Sequence, residues 1–301
     1  MRGVGARTKF ARRHFPLALA AALNGCRHAW AGTATYDAFH APQDVTISGY
    51  EGDAMEPFLT RDGRVLLFNN RNDSSQNTNL HWSGRKDDLT FSYRGEISGV
   101  NTSALEAVPS VDRDGNLYFV SNRSYDQSLS TIYRAKFEKG AASALELVEG
   151  VSRKTPGWVN FDAEISADGK TLYFVDSYFG MANQPQNATL VIAKRSERGF
   201  QRLAEGPRIL ANVNSDSLQY APDVSADELE LFFTRVKRVE SAAEPAIFRA
   251  VRQSLNEPFS IPQRVSAIQG FAEASTLSPD GRSLYYHTLV NGRFRIRRVK
   301  R

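Results

Sequence analysis

Cysteine is almost missing from this 301-residue chain: Cys26 is the only one, and it lies in a segment unlike the rest. Beyond it no disulfide, thiolate nucleophile or cysteine-ligated metal can be built. No apolar run reaches the roughly 18 residues that a membrane-crossing helix requires. No long stretch repeats its apolar residues with the helical period of about 3.6. G-x-S-x-G, H-E-x-x-H, a P-loop and a G-x-G-x-x-G after a strand are all absent, so serine hydrolysis, zinc peptidase chemistry and nucleotide use have no motif behind them.

Acidic residues are missing from the first 31 positions, which carry Arg2, Arg7, Lys9, Arg12, Arg13 and Arg27. A basic head, the apolar run FPLALAAAL at 15–23 and the small-x-small triplet Ala29-Trp30-Ala31 form the pattern of a cleaved export signal. Arg12-Arg13-His14-Phe15 resembles a twin-arginine signal, with Ala11 in place of the usual Ser or Thr. Leu23-Asn24-Gly25-Cys26 offers the alternative of a lipoprotein box, with lipid attached at Cys26. The sequence therefore predicts a signal peptide over 1–31 and one domain over 32–301, periplasmic or secreted, with the Cys26 anchor as the alternative. Removing the leader leaves 38 − 6 = 32 Lys and Arg against 33 Asp and Glu, a net charge of −1. The +5 of the whole chain is thus a property of the leader and does not point to nucleic acid. The basic run RFRIRRVKR from Arg293 to Arg301 alternates charge with Phe294, Ile296 and Val299, as a strand with one solvated face does.

The rest of the chain repeats. PFLTRDGRVLLF, PSVDRDGNLYFV, AEISADGKTLYF, PDVSADELELFF and STLSPDGRSLYY begin at Pro57, Pro109, Ala163, Pro222 and Ser275. Their turn aspartates Asp62, Asp114, Asp168, Asp227 and Asp280 are 52, 54, 59 and 53 residues apart. A fixed period of this size means one supersecondary unit stacked on copies of itself. Each copy reads as strand, tight Asp-Gly turn with a positive φ, and second strand. In the fourth copy Glu228 stands where the glycine belongs, so a different turn is expected there.

Further strand-like runs follow each hairpin: TIYRAKF and ALELV in the second copy, TLVIAKR and FQRL in the third, AIFRAVR and PFSIPQRV in the fourth. Four short antiparallel strands per unit make a propeller blade. The fifth copy stops after its third strand, and AFHAPQDVTISGY parallels PFSIPQRVSAIQGF of the fourth. The fold class expected is all-β, a five-bladed β-propeller whose N-terminal strand, near Tyr36 to Val45, closes the last blade and removes the open edge.

The motif resembles the TolB-like (WD-type) β-propeller repeat, Ser-Pro-Asp-Gly, spacer, Leu-Tyr-Phe and a following Arg. Ser278-Pro279-Asp280-Gly281 with Leu284-Tyr285-Tyr286, and Asp114-Gly115 with Leu117-Tyr118-Phe119 and Arg123, carry the resemblance. It covers essentially all of 32–301. Such repeats occur in periplasmic interaction proteins, in peptidase gating domains and in a few lyases, so the resemblance implies fold more narrowly than function.

In a propeller the inner strands line the axis, and the loops entering them form one mouth. Glu56, Glu106, Asp162, Glu164, Asp223 and Glu273 precede or enter those strands, with Tyr50, Trp158, Phe161, Tyr220 and Phe271 beside them. Glu56, Asp162, Glu164, Asp223 and Glu273 are the catalytic candidates, because paired carboxylates can hydrolyse glycosides. Glu56, Glu106, Trp158, Phe161, Asp162, Tyr220, Asp223, Phe271 and Glu273 are the candidate ligand-binding set, with aromatic faces suited to sugar rings. Ca²⁺ at the mouth is a further expectation of the carboxylate ring, through hard oxygen ligands; no other cofactor is expected. Glu56-Pro57-Phe58 faintly resembles the Asp-Pro entry of five-bladed glycoside hydrolases of the arabinanase and levansucrase type, which lack this repeat. Against these readings stands scaffolding: Arg71, Arg123 and Arg235 recur eight or nine residues after the turn aspartate, placed to pair with acids.

His81 and His287 are the histidines best placed to matter, although a lone strand histidine is usually packing. The Asn-rich loop Asn69 to Asn79, and the blade-three insertion with Tyr178, Phe179 and Met181, are expected to border a binding surface if both project at one face. The leading functional expectation is a monomeric, non-catalytic binding or scaffold module for a protein or glycan partner in the cell envelope. The alternative is a carbohydrate-active enzyme, hydrolase or lyase, using the channel carboxylates.

Overall fold

Each Leu-Tyr-Phe run is buried on both sides, and this stacks the blades. In a computed structural model, which describes residues 36–72, 77–179, 185–216, 218–239 and 242–301 (237–239, 242 and 243 by their backbone), Leu117 and Phe119 pack with Phe58 and Leu67 of the preceding blade. Tyr118, between them, points the other way, against Ile165 and Phe174 of the following blade. Leu172 and Phe174 face back in the same manner while Tyr173 faces forward, and Leu284 and Tyr286 face back while Tyr285 reaches blade one. Period-two alternation thus places every second side chain in one of two adjacent cores. Each such side chain contributes about 1.5–3 kcal/mol of burial. Residues 1–35, on which the expected export signal and Cys26 fall, and Met181 lie outside the described residues.

Tyr36–Arg301 is one compact unit of five sheets. Blade one holds the strands Met55–Leu59, Val65–Asn69, Leu80–Arg85 and Thr90–Glu96. Blade two holds Glu106–Val111, Asn116–Ser121, Ile132–Glu138 and Ala141–Leu147, and blade three Trp158–Ile165, Thr171–Tyr178, Asn187–Ser196 and Gly199–Arg202. Blade four holds Gln219–Val224, Glu230–Val239, Ala242–Val251 and the two-residue Gln263–Arg264. In blade five Glu273–Leu277, Ser283–Val290 and Arg293–Lys300 are joined by His40–Asp44, which pairs antiparallel with Arg293–Lys300. The first strands of the blades touch one another in sequence order, and the fifth touches the first. The five-bladed propeller with N-terminal closure is therefore as the sequence indicates. One strand was not foreseen: Thr46–Ser48 adds to blade one, parallel to Thr90–Glu96. Helix is confined to Tyr125–Ser128 and Gly206–Ile209 among the described residues, none of which forms a helix able to cross a membrane.

The turn of blade four corrects the expectation drawn from Glu228. Gly63, Gly115, Gly169 and Gly281 have φ of 70°, 79°, 71° and 71°, and Glu228 adopts 57°. Its amide donates to the Ser225 carbonyl at 2.8 Å, as Gly281 does to Ser278 at 2.8 Å, so the turn is the same. A left-handed non-glycine residue costs about 1–2 kcal/mol. The Glu228 carboxylate offsets this by accepting from Thr171 Oγ1 at 3.1 Å and Tyr173 OH at 2.8 Å, bonding blade four to blade three. Glu228→Gly should therefore destabilise the protein by about 1–3 kcal/mol in urea denaturation despite relieving the backbone, because the buried Thr171 and Tyr173 hydroxyl protons lose their acceptor. Glu228→Ala, which keeps the strain, should cost about 1 kcal/mol more. A stabilised glycine variant would refute this account of the turn.

Candidate functional site at the channel mouth

All five inner strands break register at one level, and the residue there is left-handed in every blade. Glu56, Val108, Asp162, Ala221 and Ala274 have φ of 51°, 56°, 51°, 51° and 46°. The pairing shifts at these places, between Met55 and Phe58 and its four counterparts, which defines a bulge with one extra residue. Five left-handed non-glycine residues around one axis recur with the repeat, and they set which side chains turn into the channel.

The amides of four of the five bulge residues find an acceptor on the preceding blade. Asn69 Oδ1 accepts from Val108 at 3.0 Å, Thr234 Oγ1 from Ala274 at 3.0 Å and His287 Nδ1 from Glu56 at 3.2 Å. These three acceptors occupy the same position on the second strands, opposite Met55, Tyr220 and Glu273. Blade three has Val175 there, and Asp162 Oδ2 accepts from Ala221 at 2.8 Å instead.

The bulges also sort the acids, which the sequence-based reading had placed on one rim. Glu56 and Asp162 are bulge residues, Glu273 comes just before a bulge, and Glu164 and Asp223 lie two residues beyond one. The expectation of a single rim is corrected, because they occupy three places. Glu106 is fully buried and saturated: it accepts from Arg123 Nη2 at 2.9 Å, Ser121 Oγ at 2.9 Å, and the Thr102 amide and hydroxyl at 2.7 and 2.8 Å. Arg71 and Arg235 likewise pair with Asp53 and Asp216. This recurring arginine is scaffold.

Glu164 and Asp223 form a lower layer in the channel. Glu164 accepts from Arg61 Nη2 at 2.6 Å and Ser110 Oγ at 2.7 Å, and Asp223 Oδ2 from the Leu277 amide at 2.9 Å. Burial raises Glu164, opposed by Arg61; burial and then the Glu164 charge push Asp223 well above the carboxylate range.

Glu56, Asp162 and Glu273 form the upper layer with Tyr220 and His287. Glu273 accepts from Tyr220 OH through Oε1 and meets His287 Nε2 through Oε2 at 3.2 Å. Glu56 Oε1 accepts from Asn72 Nδ2 at 3.2 Å, and Asn72 is in turn held by Asn69 at 2.8 Å. Glu56 Oε2 is buried without a partner. Among the described residues no arginine or lysine pairs with any of the three. Burial, followed by the charges of Asp162 and Glu273, pushes Glu56 well above the usual carboxylate range. Burial pushes Asp162 up to about 7, opposed by the Ala221 amide and reinforced by Glu273. Tyr220 is raised well above its ordinary range by burial and by Glu273. Like charges sharing a dry site cannot all ionise together, so protons are retained there at neutral pH. A narrow space with a volume of about 20 Å³, room for little more than a water, runs between Glu56 and the lower layer, lined by Ser110, Glu164 and Asp223 among others.

Aromatic side chains border the mouth. Phe161 meets Phe179 edge to face at 6.2 Å, Trp158 meets Tyr178 at 5.5 Å, and Phe271 meets Phe294 at 6.0 Å. Asn69 and Tyr178 end their second strands opposite the strand starts Met55 and Trp158, so the Asn-rich loop and the blade-three insertion leave their strands at equivalent ends; residues 73–76 and 180–184 of these loops lie outside the described residues. Tyr50 does not belong to it; with Phe68, His81 and Tyr93 it forms a cluster in blade one. His81 is packed there with Nδ1 on Tyr93 OH at 2.9 Å, and burial lowers its pKa. Among the described residues no group of three or more His, Cys, Asp or Glu is placed to hold a metal ion. Sequence reasoning missed Asn72 and the bridging place of His287. The signal for the latter was the polar residue ending Leu-x-aromatic-polar in three blades, Asn69, Thr234 and His287.

The sequence matches no family model and no curated protein. Among solved structures it is similar to the native arabinanase of Bacillus subtilis, at 14% identity over 87% of this chain and 96% of that one, with a TM-score of 0.57. It is also similar to an α-L-arabinofuranosidase of Podospora anserina in complex with cellotriose, at 12% identity over 87% and 95%, with a TM-score of 0.55. TolB of Acinetobacter baumannii matches at 15% identity over 83% of this chain and 55% of that one, but its TM-score of 0.46 carries no argument. At these identities the likeness shows the five-bladed fold alone. It nevertheless corrects the leading expectation. Several solved structures similar to it at TM-scores above 0.5 are glycoside hydrolases, so the expectation of a non-catalytic TolB-like scaffold loses its support.

Proposed function

We propose that the chain is a glycoside hydrolase acting at the channel mouth. The observation that carries this is the upper layer: three carboxyl groups without cationic partners, of which two are driven to hold protons and the third is held as an acceptor by two side chains. Environments that push neighbouring titratable groups apart mark acid and base roles. Glu56, protonated and with Oε2 unpartnered, donates the proton to the departing glycosidic oxygen. Glu273, oriented by Tyr220 and His287, serves as base or nucleophile at the anomeric carbon. As Asp162 ionises near pH 7, its charge helps keep Glu56 protonated. Phe161, Phe179 and Phe271 offer apolar faces to the sugar rings. By analogy with the arabinan-active neighbours, arabinose-containing glycans are the first substrates to try.

For a glycan met outside the cytoplasm, an export signal over 1–31 and a single catalytic domain over 32–301 form a consistent pair, with a Cys26 anchor as the alternative. Mass spectrometry of the mature N-terminus separates these. The activity is tested by incubating the full chain with linear arabinan and a panel of 4-nitrophenyl glycosides. Reducing-end or nitrophenol release is expected from wild type, and silence across the panel would end the proposal.

A further inference from the structure

His287 is wholly buried, and each of its ring nitrogens meets a different part of the mouth. Nδ1 lies 3.2 Å from the Glu56 amide, which can only donate, so this nitrogen carries no proton. The neutral ring must then hold its proton on Nε2, 3.2 Å from Glu273 Oε2. Geometry alone thus fixes the tautomer. We infer that His287 is a positioning residue of the mouth, holding the Glu273 carboxylate with Nε2–H and the Glu56 bulge with Nδ1. The inference rests on the hydrolase reading of the same site and goes beyond it by assigning the group that sets the two carboxyls relative to each other.

The repeat supplies an internal comparison. At the equivalent position Asn69 and Thr234 hold the next bulge with one acceptor atom, and nothing more is needed for that task. Asn69 also donates, but to its own loop at Asn70 and Asn72; of the three latch residues only the histidine aims a donor at the residue facing it, and that residue is Glu273. Phe271 and Phe294 pack against the ring at 6.4 and 5.5 Å, fixing its plane. A latch shared by three blades is scaffold, whereas the donor toward Glu273 belongs to the site.

Isosteric variants divide the two tasks. His287→Asn and His287→Thr keep an acceptor near Nδ1, as blades one and four do, and lose the donor; His287→Gln places a carboxamide N–H near Nε2 and loses the latch. With linear arabinan as the probe, the Asn and Thr variants should fold yet lose about 10²-fold in kcat with KM little changed, the loss typical of one removed donor. The Gln variant should recover most of kcat while melting at lower temperature. Wild-type kcat in His287→Asn, or equal losses in Asn and Gln variants, would overturn the inference. A readout independent of turnover is the ¹⁵N-labelled ring: a downfield Nε2–H resonance and an unprotonated Nδ1 are expected, with the proton moving upfield in Glu273→Ala. An unchanged resonance in Glu273→Ala sinks the inference whatever arabinan shows. An inert wild type with the expected resonances sinks the hydrolase reading instead.

Discussion

Glu273→Gln should lower turnover of the best glycan in the panel by about 10³-fold or more while leaving the protein folded, since one positioned acid or base is worth about 10²–10⁴. The amide keeps an oxygen for Tyr220 OH and changes the volume little, yet it can neither accept a proton nor attack. Glu56→Gln should fall similarly, because the glutamine cannot give up a proton to the leaving oxygen. Glu164→Gln is the contrast: Glu164 sits in the lower layer against Arg61 and Ser110, so its loss should cost stability more than turnover. The measurement is kcat/KM with thermal melting of each variant. Equal activity losses from Glu164→Gln and Glu273→Gln would remove the distinction between the layers.

The same crowding predicts that disabling the site stabilises the fold. Asp162 titrates at about 7 in the folded state, against about 3.9 in an unfolded chain. A group with a raised folded pKa stabilises fully below its unfolded value and loses that contribution as pH rises through the folded one. Stability from Asp162 is therefore present below about pH 4 and lost between about pH 4 and 7, a change of about 4 kcal/mol at most. Asp162→Asn keeps an oxygen for the Ala221 amide and carries no charge at any pH. It should melt near wild type at pH 4 and roughly 5 °C or more above it at pH 8. Glu56→Gln should act in the same direction, since burial and two neighbouring acids also raise Glu56. Melting curves of wild type and both variants from pH 4 to pH 8 decide this. Variants that lose stability as pH rises just as wild type does would show that the mouth is not under strain.

How far the sequence reaches follows from what a strand encodes. The Asp-Gly spacing counts the blades, and alternation in Leu117-Tyr118-Phe119 distributes side chains between two cores. The likeness of the segments ending at Tyr50 and Phe271 reveals the closing strand, paired through His40–Asp44. The bulges were not legible, because Glu56, Val108, Asp162, Ala221 and Ala274 are of four different types, and none is the glycine that advertises a positive φ. One inserted residue turns the following side chains to the other face. Six acids that look alike in the repeat therefore end in three settings: Glu106 against Arg123, Glu164 with Asp223 deep in the channel, and Glu56, Asp162 and Glu273 at its mouth. Glu228 misled for the opposite reason, since its two hydroxyl partners lie more than fifty residues away in sequence.

The most direct test of the upper layer as a catalytic mouth is a crystal structure of Glu56→Gln soaked with an arabino-oligosaccharide. The account predicts a sugar ring over the mouth, with a glycosidic oxygen about 2.6–3.2 Å from residue 56 and the anomeric carbon facing Glu273. A sugar bound on the outer blade edges, or density at the mouth with both carboxyls turned away from the glycosidic bond, would contradict it.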